Sequence, residues 1–337
     1  MTQHQRLVRF LTVLLTAFAL LSAARLAAAD PSSKAPVTPP VAVRLAINLS
    51  PISALPLIAK DKGLFQKHGL DVSINNFSSG RQALETVLGG GADVATAAES
   101  PVTAAAFAQQ KIVLLARLEY SELKTLVSVP GVSRPAELKG KRIGYTAGTG
   151  SEVYTHELLK RSGLTKGDVT LVNLRPQDMV AAAAAGSIDA YNIWEPHIAN
   201  GKKALGARAR VLDTKQVYTE TFNLVVTQEY AQKQRNVATA LLRALIEAET
   251  WLKSNREEAI TLVARLVGMP RSDLAGVWND YVFEVALDEI TTGALRKHAQ
   301  WRIDSGNAAG GAKTLPDLAR LIESAPLKQV APGRVKL

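Results

Sequence analysis

Residues 186–196 read Gly-Ser-Ile-Asp-Ala-Tyr-Asn-Ile-Trp-Glu-Pro, and the chain carries a near copy at 91–101, Gly-Ala-Asp-Val-Ala-Thr-Ala-Ala-Glu-Ser-Pro. In both, a Gly precedes an Asp, an apolar run follows, and a Glu lies six residues beyond the Asp: Asp93 to Glu99, Asp189 to Glu195. A Pro comes one or two residues later. Each copy also follows an Ala/Leu-rich stretch of helical pattern, Arg81 to Leu88 and Asp178 to Ala185. Gly commonly stops helices and Pro commonly starts them, so each copy reads as helix, stop, short buried strand, acidic tip, new helix. One copy would mean only that Gly ends helices and Asp opens strands. Two copies with one spacing predict two similar α/β lobes. Ligands of open α/β sheets sit at the carboxyl ends of strands. The expectation is a cleft with Glu99 on one wall and Trp194 with Glu195 on the other.

A chain of 337 residues suggests about two domains. Apolar content of 47% with 21% charged residues is globular, with enough apolar side chains for a sizeable core. The start differs. Arg6 and Arg9 precede an apolar run from Phe10 to Leu21, and Ala27 to Ala29 follow before Asp30. This is the layout of a secretory signal peptide, residues 1–29, with a mature protein beginning near Asp30. The apolar run is too short to span a bilayer. The chain has no cysteine, which excludes disulfides, thiol chemistry and a lipidated N-terminal Cys. A soluble periplasmic protein is expected. Residues 1–29 carry Arg6, Arg9 and Arg25 and no acid, so their removal takes the formal charge from +10 to +7. There is no Lys/Arg block and no basic-aromatic stripe, so no nucleic-acid partner is expected. His68, His156, His197 and His298 stand far apart, which predicts neither a metal site nor a cofactor.

Residues 30–40 are a Pro/Ser-rich linker. A first lobe then runs over 41–122: strand Val41–Ile47, loop Asn48–Pro51, a helix from Ala54 to Lys67 with Ser53 as N-cap, strand Leu70–Phe77, the first repeat copy and strand Ile112–Leu118. The strand Leu123–Val129, broken by Pro130, leads into a second lobe over 123–228. It holds strands Lys141–Thr146, Val169–Leu174 and Ala209–Leu212, and Phe222–Thr227 is the return strand. Residues 229–337 complete the first lobe with helices Val237–Leu252, Arg256–Val267, Ser272–Tyr281 and Asp288–Ile303. Pro326–Leu337 reads as a loose basic tail.

Two helix starts suit an anion, because their first N–H groups lack helical partners. Ser79, Gly80 and Arg81 open one, and Gly148, Thr149, Gly150 and Ser151 open the other. Neither is a nucleotide loop: no Lys follows the second pair of glycines, and Val153 replaces the third Gly of a dinucleotide fingerprint. The plain alternative is a capped turn in each case, with an exposed Arg81. Glu99 and Glu195 either face a ligand or cap the helices that follow them. Trp194 is either a ligand platform or a core aromatic. No Gly-x-Ser-x-Gly elbow frames any Ser, so no catalytic residue is assigned.

In order, Leu45–Ile47 with its loop, Phe77–Gln82, Gly91–Pro101, Leu138–Gly144, 147–151 and Ile188–Pro196 resemble the periplasmic substrate-binding proteins of ABC importers for sulfonates, taurine and nitrate, and the related thiamine-precursor binding proteins. The resemblance covers about Val41 to Tyr230. It implies the type II periplasmic binding protein fold: α/β, two lobes, two crossover strands and a ligand cleft between them. It implies a small-molecule solute and a membrane permease as partners of a monomer. By position it implies Ser79, Gly80, Thr149, Gly150 and Ser151 as ligand-binding, with Ser100 a further candidate, and Trp194 and Glu195 match the second wall; Asn48, Ser50, Arg81, Glu99 and Gly148 complete the candidate ligand-binding set from the residues themselves. Arg81 and the rearranged 147–150 loop depart from the sulfonate pattern. A thiamine-pyrimidine precursor is the alternative solute. An enzyme on the same fold is the third option, weakened because the eukaryotic pyrimidine synthases carry a Cys-rich motif and this chain has no Cys.

Overall fold

The structure, a computed structural model, describes residues 39–337 apart from Lys215. The predicted signal peptide and nearly all of the linker lie outside the described residues. Residues 40–337 form one compact unit. No described helix is long and apolar enough to cross a membrane.

Two sheets organise the chain. The first has six strands in the order β11-β4-β10-β3-β1-β2. These are β1 (Val41–Asn48), β2 (Leu70–Phe77), β3 (Val94–Ala98), β4 (Ile112–Glu122), β10 (Thr219–Thr227) and β11 (Val282–Ala286). The second has five in the order β7-β6-β8-β5-β9: β5 (Lys124–Val127), β6 (Arg142–Tyr145), β7 (Thr170–Asn173), β8 (Ala190–Ile193) and β9 (Arg210–Val211). β1 pairs in parallel with β2 and β3, and β6 in parallel with β7 and β8. An antiparallel strand then flanks each third strand, β10 beside β3 and β5 beside β8. The two repeat copies therefore occupy equivalent places, β3 and β8, one in each sheet.

The repeated Asp has a structural reason. Asp93 accepts from the backbone N–H (2.8 Å) and Nε (3.2 Å) of Arg44 on β1, and its other oxygen takes Nη2 at 2.6 Å. Asp189 does the same with Arg142 on β6, at 2.8, 3.1 and 2.7 Å. Each Asp thus registers its strand against the first strand of its sheet through a bidentate, charge-assisted pair.

The chain crosses between sheets twice. Leu123 alone separates β4 from β5, and residues 212–218 lead from β9 to β10. The two crossings run side by side and together line a pocket of about 540 Å³. β10, assigned above to the second lobe, pairs on both edges within the first sheet.

The first core is one cluster that joins sheet residues such as Leu45, Leu115 and Leu224 to helices α1 (Ala54–Asp61), α6 (Arg235–Ser254) and α7 (Arg256–Val267). The remaining labelled helices are α2 (Gly80–Leu88), α3 (Glu99–Phe107), α4 (Gly150–Arg161), α5 (His197–Leu205) and α8 (Glu289–Asp304). α2 and α3 pack on the opposite face of that sheet. The second core gathers Tyr154, Leu158, Met179, Tyr191 and Ile193 around its own sheet.

Four expectations need correction. The helix from Ala54 to Lys67 is two helices, broken where Gly63 takes φ 68°. Ser53 caps nothing; its hydroxyl donates to the Asn48 carbonyl at 2.7 Å. The helix predicted over 272–281 ends in a 3-10 turn over Trp278–Asp280, and β11 follows at once. The tail is tied down. Pro326 and Leu327 are buried, Arg334 pairs with Glu249 at 2.7 Å, and backbone bonds join Leu287 to Arg334 and Lys336.

Candidate functional site

The two helix starts singled out from sequence face each other between the sheets. Helix α2 follows β2, and Ser79 caps it by accepting from the Gln82 N–H at 3.3 Å. Gly80 is pressed against β3: a Cβ there would lie 2.9 Å from the Ala97 Cα, so no side chain fits without moving the strand. Helix α4 follows β6. Thr149 caps it from the Ser151 N–H at 3.2 Å and donates to the Thr146 carbonyl at 2.7 Å. Ser151 donates to the Asn192 carbonyl at 2.6 Å and accepts from the Thr146 N–H at 3.0 Å. The Gly148 N–H is taken by Glu152 at 2.8 Å, and its φ of 73° is the reason for Gly at that position.

Arg81 joins the two lobes. Its Nε donates to Glu85 at 2.8 Å on its own helix, and its Nη1 donates to the Ala147 carbonyl of the opposite lobe at 3.2 Å. Beside this bridge lies a space of about 280 Å³ lined by Ser79, Arg81, Gln82, Thr146, Thr149 and Arg175, among others. Ser79, Arg81 and Thr149 are therefore brought together. The three hydroxyls of Ser79, Thr149 and Ser151 are all engaged within the protein.

The acidic tips serve different roles. Glu195 accepts from the Ala199 N–H at 2.9 Å, which caps α5. Glu99 turns away from its own helix. It accepts from the Thr221 N–H and hydroxyl, both at 2.8 Å, and from the Tyr218 hydroxyl, clamping β10 where that strand enters the first sheet. Burial pushes the carboxyls of both Glu99 and Glu195 up from the usual range. Trp194 is buried with an unpartnered Nε1 and meets His197 edge-on at 6.4 Å. It lines a small cavity of about 10 Å³ with Ile52, Ser121, Glu195 and Tyr281, so both lobes contribute to it. Asn48 and Ser50 are buried at the end of β1, and the Ser50 hydroxyl has no partner. Ser100 is buried, and its carbonyl accepts from Arg302 at 3.0 Å.

Sequence reading missed Glu119, Glu220, Tyr218 and Tyr281. Glu119 on β4 and Glu220 on β10 are buried, and burial drives both carboxyls well above their ordinary values. A place in Gly150 for a Cβ would lie only 1.9 Å from Glu220 Oε1, so that carboxylate stands at the start of α4. One signal was available: in Ala116–Glu122 charged and polar residues alternate through a strand that is apolar elsewhere.

Comparison with known proteins fits this geometry. The NMT1/THI5-like family model matches residues 51–259. The taurine-binding periplasmic protein of Escherichia coli K12 is 29% identical over 253 residues, covering 70% of this chain and 77% of its own. The alkanesulfonate-binding protein SsuA from Xanthomonas axonopodis pv. citri, bound to MOPS, superposes with a TM-score of 0.74 at 22% identity, over 86% of this chain and 100% of that one. The periplasmic nitrate-binding protein NrtA from Synechocystis PCC 6803 gives 0.71 at 18% identity, over 87% and 89%. These structural likenesses establish the two-lobed periplasmic binding protein fold.

Proposed function

We propose a function from one premise: the chain belongs to the NMT1/THI5-like family. It captures a small polar or anionic solute, of the sulfonate, taurine or nitrate class named in its relatives, between its two lobes. It then presents that solute to the permease of an ABC importer. The observation that carries this reading is the bridge from Arg81 to Ala147 over a space lined by the capping residues of both lobes. Such a bridge exists only while the lobes are together. A solute that touches both lobes favours that state, and the closed state reports occupancy to a partner. The relatives' names and the signal-like first 29 residues support a periplasmic location. The reading assigns capture and delivery of an unaltered solute, with the protein acting as a monomer.

The test is a thermal-shift panel of alkanesulfonates, taurine, nitrate, bicarbonate, carboxylates and pyrimidines. A one-site binder at 100 times its Kd gains about 2.7 kcal/mol. Stabilisation by one class, with the solute recovered intact at one per protein, supports the carrier. Stabilisation only by pyrimidines moves the assignment to a thiamine-precursor carrier. Conversion of the solute during incubation refutes it.

A further inference from the structure

Two buried carboxylates, Glu119 and Glu220, lie among aromatic rings on the first sheet. Glu119 is 1% exposed, and neither of its oxygens has a hydrogen-bond partner. It lies opposite Phe222 on one neighbouring strand and Phe283 on the other. Glu220 lies opposite Ser121, so the two carboxylates share one face of the sheet as diagonal neighbours. That face meets the second lobe, because Glu220 reaches the start of α4 at Gly150. Tyr281 stacks on Phe283 with ring centres 5.8 Å apart and packs with Ile52 and Phe222.

An independent observation comes from the other lobe. The Trp194 indole N–H has no partner although the residue is 7% exposed, and Trp194 lines the residual cavity together with Ile52, Ser121 and Tyr281. Ser121, which lies opposite Glu220 and two residues from Glu119 on the same sheet face, connects the carboxylate face to the cavity that Trp194 lines. Leaving a buried carboxylate without a partner is costly, so such a group persists where something else partners it. Two cations of the protein lie nearby: Arg117 is held through Nη2 by Glu284 at 2.9 Å and Asp288 at 2.7 Å, with its Nε and Nη1 buried and unpartnered, and Lys124 is held by Asp280 at 2.6 Å. The acids are not gathered in a metal-binding arrangement among the described residues. Carboxylates flanked by aromatic faces attract an organic cation by charge, hydrogen bonding and the ring quadrupole.

We propose that the solute carries a cationic head, an ammonium or amidinium, that seats on Glu119 and Glu220 beside Phe222 and Tyr281, while Trp194 donates to an acceptor on the same molecule. The proposal rests on the carrier reading and narrows it: a bare inorganic anion does not use this face. Titration calorimetry with matched probes tests it. The pairs are ethanesulfonate with taurine and propionate with β-alanine, and acetamidine and ethylammonium are run alone. In each pair that binds, the ammonium-bearing member is expected to bind at least tenfold more tightly. Glu119→Gln and Glu220→Gln should each remove that preference, and the exposed control Glu229→Gln should keep it. Thermal unfolding of each variant without probe confirms that it folds. Tighter binding of the member without the ammonium, or a preference that survives in both Gln variants, overturns the cation site and leaves the carrier standing. No binding of any probe here or in the thermal-shift panel overturns both.

Discussion

Arg81 on the first lobe donates to the carbonyl of Ala147 on the second at 3.2 Å, so a side chain of the protein itself bridges the two lobes. Its side chain is also paired with Glu85, so one guanidinium both anchors to its own helix and reaches across. Replacing Arg81 with Ala should leave the unfolding temperature nearly unchanged, because the pair is solvent-exposed. It should weaken closure by about 0.5–1 kcal/mol, the range of exposed charged contacts. Small-angle scattering of the solute-free protein checks this through a larger radius of gyration, and titration checks it through a few-fold rise in Kd.

Gly80 tests the rigidity of the same helix start from the other side. A methyl group there would press on the Ala97 Cα and the Thr96 carbonyl oxygen, at 2.9 and 3.1 Å. Both are backbone atoms of a central strand and cannot rotate away. Gly80→Ala should therefore destabilise the protein by about 1–3 kcal/mol, the cost of overpacking. Chemical denaturation measures it, and an unchanged midpoint would show that the strand yields freely.

Asp93 and Asp189 make a paired prediction. Hydrogen bonds from Arg44 and Arg142 hold the two carboxyls below the usual range. A lowered carboxyl pKa contributes stability above its unfolded value, and that stability is lost as pH falls through the folded pKa. Both Asp93→Asn and Asp189→Asn should cost about 1–3 kcal/mol at pH 7. The variants should also lose less stability than the parent as pH drops below about 4. Equal losses at the two sites are expected, since each Asp repeats the same three contacts.

His156 adds to the same acid sensitivity by another cause. Burial lowers its pKa to about 4, and its ring lies 5.3 Å from that of Trp301 on α8. A His whose folded pKa is depressed binds its proton more readily when released, so stability falls as pH drops from about 6.5 toward 4 and levels off below that. His156→Gln should flatten this part of the stability–pH curve. Urea midpoints measured from pH 7 to pH 4 decide it; a curve as steep as the parent's would place the acid sensitivity in His197 or His298 instead.

Much of this architecture is legible in the sequence. The Gly-to-Pro repeat located β3 and β8 because one requirement, an Asp that pairs with the strand beside it, had been met twice in the same way. The helix starts were readable because Ser79 and Thr149 are capping residues next to glycines. The misses share a different cause. Val282–Ala286 is a strand only because β4 lies beside it, and five residues after a helical run carry too little periodicity to show that. The tail looked loose because its anchor, Glu249, lies far away on α6. Glu119 and Glu220 escape notice because a carboxylate in a strand reads as solvent-facing, whereas here Glu119 sits between Phe222 and Phe283 and Glu220 meets the opposite lobe at Gly150.

The two crossings have a mechanical consequence. Leu123 leaves β4 and β5 almost one continuous ribbon, whereas the 212–218 crossing is longer and is pinned by Tyr154 donating to Thr214 at 2.6 Å, by Gln216 N–H on Glu122 at 2.9 Å and by Tyr218 on Glu99. With both links held at the same edge, any relative movement of the lobes turns about them. The pocket of about 540 Å³ lies against both links, so its shape must change whenever the front of the molecule gapes. Front and back are thus levers on one fulcrum. A wedge lodged at the back would fix the angle at the front without ever entering the cleft.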